Sequence, residues 1–442
     1  MKRLLIAGAN SGCGKTTVTC ALLAALHRRG LTPVAFKCGP DYLDTMFHRA
    51  VFGVKAYNLD PFFLDGEGLR SHLAAHAGQI SIIEGAMGYY DGIAASDEAS
   101  AYTVARETAT PVVLVLNAHG VGYSLTALLK GLAQFRPHSH IAGVIFNNAP
   151  AARYADLARM AQDAGLPAYG TLPQQQKWAL PSRHLGLLTA GEIEDLQDKL
   201  RSLSKQAEQS IDIDGLLALA NTAPDLNCAV KPAKPRLATR LRLAIARDEA
   251  FCFLYEENLE LWQALGCELL FFSPLTDAHL PSNIQGLYLG GGYPENHAAA
   301  LAKNTSMLKS IRQAVGNSLP TIAEGGGFLY LHKTLDGFPL CGVIDSAAFA
   351  TAKLQRFGYI TITAAHSNLL CATGGALRAH EFHYWDSDSP GSAFTAKKAG
   401  RDLTYPCVQA TDTLYAGFPH LYFPANPASA ERFVERMARY EG

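Results

Sequence analysis

A lysine and two threonines behind a run of small residues are the first side chains in this sequence arranged to do chemistry: Gly8-Ala9-Asn10-Ser11-Gly12-Cys13-Gly14-Lys15-Thr16-Thr17. The backbone N–H groups of such a loop, with the positive end of a helix behind it, face an anion. Lys15 can reach the terminal phosphates of a nucleotide and the Thr16 hydroxyl can ligate magnesium, while Gly12, Cys13, Gly14 and Thr17 complete the candidate cradle. The spacing is longer than the strict motif, because Gly8 and Gly14 enclose five residues and Ala9 stands where the strict motif has glycine. Context decides for a nucleotide site over a plain glycine turn. Leu4-Leu5-Ile6-Ala7 reads as a buried strand, and Val18 to Leu26 has the apolar spacing of a helix.

A second set of polar residues closes other apolar runs. Thr32–Lys37, Ile80–Gly85, Pro111–Asn117 and Ile141–Asn147 read as strands separated by helical stretches, which predicts a parallel sheet covered on both faces. Ligands gather at the carboxyl ends of such strands. Lys37, Asp41, Glu84, Asn117 and Asn147 all fall at or just past those ends. Glu84 precedes the loop Gly85-Ala86-Met87-Gly88-Tyr89-Tyr90-Asp91-Gly92, where a carboxylate can hold magnesium directly or through water. Thr16, Asp41 and Glu84 form the candidate metal set, and Asp91 can face the same space once its loop folds back. Asp41 and Asp44 flank Tyr42-Leu43 in a turn opened by Pro40, and His48 is open to two readings, ligand contact or packing.

These elements sit in a chain of 442 residues, 48% hydrophobic and 17% charged, with net charge −1. That length predicts two or three domains. The balanced charge gives no electrostatic case for nucleic acid or an anionic membrane as partner. Nine dispersed cysteines without metal spacing point to a reducing compartment. The apolar run after Met1-Lys2-Arg3 is too short for a signal peptide, and no run approaches a membrane span, so a cytoplasmic enzyme is expected. From residue 201 the character changes: Ser202 to Ser210 is polar and charged, and Thr222 to Pro235 is rich in proline, alanine and lysine. The expected layout is a nucleotide-binding domain over 1–225, a linker over 226–240 and a further domain over 241–442.

The second domain opens with another α/β pattern: strand Leu241–Ala246, helix Tyr255–Leu265 and strand Glu268–Phe272. Pro320-Thr321-Ile322-Ala323-Glu324-Gly325-Gly326-Gly327-Phe328 has the strand–turn–helix layout of a nucleophile elbow, where a Ser or Cys normally stands. Here the elbow residue is Gly325. Cys341, sixteen residues on and expected to start a strand, is not the expected substitute, because a nucleophilic thiol needs elbow exposure and a nearby base.

Taken together the motifs resemble one family, the ATP-dependent cobyrinic acid a,c-diamide synthases of corrinoid biosynthesis. The resemblance is carried by the phosphate loop, Lys37-Cys38-Gly39-Pro40-Asp41-Tyr42-Leu43-Asp44, Asn58-Leu59-Asp60, Glu84 to Gly92, Arg183-His184-Leu185-Gly186-Leu187, Gly290 to Glu295 and His380-Glu381-Phe382-His383-Tyr384, in family order over nearly the whole chain. It implies an α/β fold with a P-loop, dethiobiotin synthetase-like domain followed by a class I glutamine amidotransferase-like domain. It implies ATP and Mg2+ as cofactors, a tetrapyrrole or other carboxylate substrate, ammonia or glutamine as nitrogen source, and a homodimer. Lys15, Thr16 and Glu84 would serve nucleotide and metal, and Lys37 the transferring phosphoryl. Asp41, Tyr42, Leu43 and Asp91 match positions tied to substrate handling and catalysis, His48 joins the substrate side, and Asn147 is a candidate for adenine recognition. Gly325 matches the nucleophile position of the amidotransferase domain and His420 its histidine, with Pro419 and Tyr422 altering the local motif. Loss of the thiol predicts no glutaminase activity. The expected function is amidation of the cobyrinate a and c side chains through an acyl phosphate, using free ammonia or ammonia from another protein. The alternatives are the same chemistry on sirohydrochlorin or a non-tetrapyrrole acid, and a nucleotide-binding protein that has lost activity.

Overall fold

The computed structural model describes residues 1–175, 182–183, 186–187, 195–228 and 240–441. The chain divides into two compact units, 1–231 and 232–442.

The first unit is built on a seven-stranded, fully parallel sheet. Its strands are β1 (Arg3–Gly8), β2 (Pro33–Cys38), β3 (Ala56–Leu59), β4 (Ile80–Glu84), β5 (Val112–Asn117), β6 (Ile141–Asn147) and β7 (Ala168–Leu172), in the order β3-β2-β4-β1-β5-β6-β7. β1 lies at the centre because Leu4, Leu5, Ile6 and Ala7 are buried on both faces, as a parallel sheet between helix layers requires. Between the strands run α1 (Lys15–Arg28), α2 (Tyr42–Phe52), α3 (Gly66–Ala75), α4 (Ala101–Thr108), α5 (Ser124–Gln134) and α6 (Tyr154–Asp163). The register puts Lys37 opposite Glu84 and Asn117 opposite Asn147, so the polar strand ends converge on one edge of the sheet.

Two readings of the sequence need correction in this unit. β3 and β7 were not among the predicted strands; each is short, and β7 carries a glycine at position 170 with φ +131°. The polar stretch 202–210 is the end of a helix, α7 (Leu196–Ser210), followed by α8 (Ile213–Ala220). Leu196, Leu200, Leu203 and Ala207 form a buried stripe on α7 and join the core packed around α1. Such a stripe at helical spacing survives in a polar sequence because only one face needs to be apolar. On the outer face Arg29 donates to Glu208 (2.8 Å) and Asp214 (2.6 Å). Residues 229–239 of the expected linker, and His184 and Leu185 of the Arg183–Leu187 motif, lie outside the described residues.

The second unit has a six-stranded sheet in the order Cys267–Phe272, Leu241–Ala246, Gly286–Leu289, Thr321–Glu324, Leu414–Gly417 and Gln409–Ala410; the first five run parallel and the last antiparallel. A five-stranded antiparallel sheet joins it, with Arg356–Ala364 between Phe394–Lys398 and Ala376–His383, and His420–Leu421 at one edge. Cys341 starts no strand. It is buried between the short strand Phe338–Pro339 and the strand Ile344–Ala350, and its carbonyl accepts from Arg312 Nε.

Candidate active site

The loop from Ala9 to Gly14 connects β1 to α1, and its last residue is held left-handed, with Gly14 at φ +101°. A side chain there would also run into the amide of Asn147, so the position needs glycine on two counts. Asn147, at the end of β6, is buried and its Nδ2 donates to the Cys13 carbonyl at 3.0 Å. The structure thus spends the amide nitrogen of this adenine candidate on bracing the phosphate loop. Asn148 Nδ2 and Asn117 Oδ1 lie 3.3 Å apart at the neighbouring strand ends. Lys15 curls over the loop, donating to the carbonyls of Asn10 (3.0 Å) and Met87 (2.5 Å). These are neutral acceptors that an anionic phosphate outcompetes. Burial lowers the Lys15 pKa below the usual lysine range.

Glu84 ends β4 with no exposed surface. Its Oε1 accepts from the Thr16 hydroxyl (2.5 Å) and from Lys37 Nζ (2.9 Å), and its Oε2 lies 3.2 Å from His48 Nε2. Lys37 also pairs with Asp44. Burial alone would raise the Glu84 pKa, but Lys37, His48 and Thr16 together hold it well below the ordinary carboxylate range. Lys37 stays charged: burial pulls its pKa down, and Asp44, Glu84 and Asp41 more than reverse this. Asp44 is pushed up, by burial first and then by Asp41. The cluster is a buried ammonium held between carboxylates.

Asp41 caps α2, its Oδ1 accepting from the N–H groups of Leu43 (2.9 Å) and Asp44 (3.5 Å). Asn58 on β3 fixes the preceding turn by donating to the carbonyls of Gly39 (2.9 Å) and Asp41 (3.0 Å). Tyr42 and Leu43 are buried at the start of α2. Asp91 is exposed and closes the turn of its own loop, accepting from Gly88 N–H at 2.8 Å, while Tyr89 N–H donates to Gly8 O at 2.8 Å and ties that loop to the phosphate loop. His48, which the sequence placed on the substrate side, sits instead behind Glu84 with no exposed surface. Sequence reasoning gave no role to Asp44 or Asn58; their motifs stood out, but only the fold shows what they hold.

A magnesium ion fits this arrangement. Among the described residues no three His, Cys, Asp or Glu side chains converge as a cage built by protein alone. Mg2+ beside a nucleotide needs only one or two carboxylates besides phosphate oxygens and water. Thr16 and Glu84 present hard oxygen donors 2.5 Å apart at the helix N-terminus.

In the second unit Gly325 ends the strand Thr321–Glu324 at φ +49°, ψ −106°, and Gly326–Leu331 continues as a helix. The Gly325 N–H donates to Gly417 O (2.9 Å), and Leu329 N–H donates to Gly325 O (3.0 Å). A Cβ on Gly325 would lie 2.6 Å from both Cε1 and Nε2 of His420. The turn thus brings Gly325 against the ring of His420, with no side chain between them. Glu324, buried, accepts from the Tyr288 hydroxyl (2.9 Å) and Leu421 N–H (3.2 Å), and its Oε2 lies 3.8 Å from His420 Nδ1. Sequence reasoning gave Glu324 no role, although it directly precedes the elbow and its carboxylate lies beside His420.

Comparison with known proteins agrees with both halves. Residues 4–188 match the CobQ/CobB/MinD/ParA nucleotide binding domain, and residues 242–428 match the CobB/CobQ-like glutamine amidotransferase domain. The cobyrinate a,c-diamide synthase of Caldanaerobacter subterraneus subsp. tengcongensis is 36% identical over 448 residues, covering 99% of this chain and 98% of that protein. Those of Leptospira interrogans (34% over 450 residues) and Thermoplasma volcanium (36% over 453 residues) each cover 99% of this chain and 98% of their own length. The chain belongs to the cobyrinate a,c-diamide synthase family. The two matched domains, in this order, account for the parallel P-loop sheet and for the elbow sheet that follows it. Among the described residues no helix is long and apolar enough to cross a membrane.

Proposed function

We propose that this chain is an ATP- and magnesium-dependent ligase that amidates the a and c carboxylates of cobyrinate, taking its nitrogen as free ammonia. The observation that carries the ligase reading is the joining of Thr16, Lys37 and Glu84 through one carboxylate at the head of the phosphate loop. ATP would be the phosphoryl donor and Mg2+ would neutralise charge between its phosphates. Loop N–H groups and Lys15 would bind the phosphate chain, and Thr16 with Glu84 would hold the metal. Lys37, kept charged by Asp44 and Glu84, meets the negative charge of the phosphoryl moving to the substrate carboxylate. The resulting acyl phosphate has a good leaving group; ammonia attacks its carbonyl carbon, the C–O bond to phosphate breaks, and the amide forms with loss of a proton. Such transfers need positioning and charge neutralisation more than covalent help. Tyr42 and Leu43, the first residues of α2, and Asp91, on the loop after β4, would meet the substrate acid.

The nitrogen source rests on Gly325, since glycine offers no group to attack the amide of glutamine. The test supplies purified protein with ATP, Mg2+ and cobyrinate, with either ammonium or glutamine. Diamide is expected with ammonium and none with glutamine alone. Product from glutamine without a second glutaminase overturns the nitrogen assignment, and no product with ammonium overturns cobyrinate as substrate.

A further inference from the structure

Glu84 is held by three donors, and two of them have another task. Thr16 Oγ1 and Lys37 Nζ both sit on Oε1, and both are the groups that a bound nucleotide and its phosphoryl would draw away. The third, His48, sits alone on Oε2 at 3.2 Å and has no exposed surface through which to reach a ligand. Its ring has Phe47 (centroids 6.2 Å) and Phe52 (6.1 Å) as neighbours, and its Nδ1 is buried without a hydrogen-bond partner among the described residues. Only a proton on Nε2 therefore gives this imidazole a partner, and that proton points at Glu84. Asp44 and His48 are four residues apart on α2, so one helix face presents Asp44 to Lys37 and His48 to Glu84.

We propose that His48 is a positioning residue for the metal-binding carboxylate: the permanent donor on Oε2 that fixes the carboxylate plane of Glu84 while Thr16 and Lys37 turn toward nucleotide. This rests on the nucleotide-site reading above. A buried carboxylate left with no donor of its own would rotate or lose its charge, and groups that orient metal ligands from behind are worth about 10- to 100-fold in metal affinity.

The test uses the full chain and titration calorimetry with a non-hydrolysable ATP analogue, with Mg2+ and again with EDTA. His48→Leu is expected to weaken binding about 10- to 100-fold in Mg2+ and to leave binding in EDTA unchanged. His48→Gln places an amide N–H near the Nε2 position and should recover most of the loss. His48→Asn places it near Nδ1 and should not. In turnover the apparent KM for MgATP should rise while that for the acid stays. His48→Leu with wild-type affinity in Mg2+, an equal loss with and without Mg2+, or His48→Gln no better than His48→Asn each overturns the proposal. If the leucine variant does not fold, the Gln and Asn pair still decides. Wild-type protein that binds no analogue at all overturns the nucleotide-site reading itself, and the inference with it.

Discussion

The molecule contains two strand–turn–helix corners built on the same plan, one after β1 and one after Thr321–Glu324, and they have met opposite fates. At the first, Gly14 (φ +101°) opens the helix and the next two side chains, Lys15 and Thr16, reach the centre of the site. At the second, Gly325 (φ +49°) opens the helix, His420 and Glu324 stand ready, and no side chain projects between them. Backbone geometry therefore does not report activity. In the proposed function, glycine shapes the loop at the first corner and its neighbours do the chemistry, whereas at the second glycine occupies the proposed nucleophile position. A fold-level likeness covers both, and only the identity of single residues separates them.

The comparison breaks most severely if the first corner proves tolerant. Lys37→Met would leave Asp44 and Glu84 buried without their shared cation. Removing one partner of a buried pair costs about 3–5 kcal/mol, and here it also removes the charge that meets the phosphoryl group. The expected result is a large drop in urea midpoint together with loss of ammonium-dependent amidation. The double variant Lys37→Met/Asp44→Asn should regain part of the stability and none of the activity. Stability unchanged in Lys37→Met would mean that the cluster is not the anchor it is taken to be.

Much of this was legible in the sequence, for identifiable reasons. The phosphate loop, the acid at the end of β4 and the bare elbow are local patterns whose residue types state their chemistry. What could not be read was relation across the chain. His48 stayed open between ligand contact and packing because a sequence does not show that α2 turns it inward onto Glu84. Asn147 looked available to a base because nothing local says that Gly14 brings the loop against it. The helix over 196–210 was hidden because its apolar stripe is narrow and its mean composition polar. The short strands β3 and β7 depend on their neighbours for burial more than on their own pattern.

The second corner can be sharpened by restoring what it lacks. Gly325→Cys puts a thiol in contact with His420, whose ring must give way because a Cβ would start only 2.6 Å from it. Together with the left-handed backbone this should cost about 1–3 kcal/mol of stability. The same variant should yield diamide from glutamine where the parent yields none, and Gly325→Cys/His420→Ala should abolish that gain. Gly325→Ala should carry the stability cost with no gain in activity. If Gly325→Cys is as stable as the parent, the corner is not strained; if it stays silent with glutamine, more than the thiol has been lost.

The smallest expected effect separates the corners by their response to acid. Beside the second lies His380, paired across strands with His420. Burial above all, and then the nearby His420 and Lys398, bring its pKa from 6.5 down to about 3. Between pH 6.5 and 3 the unfolded chain binds the proton and the folded chain does not. His380 thus contributes stability above pH 6.5 that is lost as the pH falls, at a slope of at most about 1.4 kcal/mol per pH unit. His383, lowered mainly by burial to about 4, adds in the same direction. Glu84 at the first centre behaves differently: its lowered pKa gives stability that is intact at any pH above the ordinary glutamate range and fails only below it. Acidification from pH 7 to 5 should therefore loosen the second unit before Glu84 is touched. Limited proteolysis at the two pH values should show cleavage within 241–441 rising first, and His380→Gln should flatten that rise. Equal acid sensitivity in the variant would show that the titrating group lies elsewhere and that the vacant corner carries no penalty for its buried histidines.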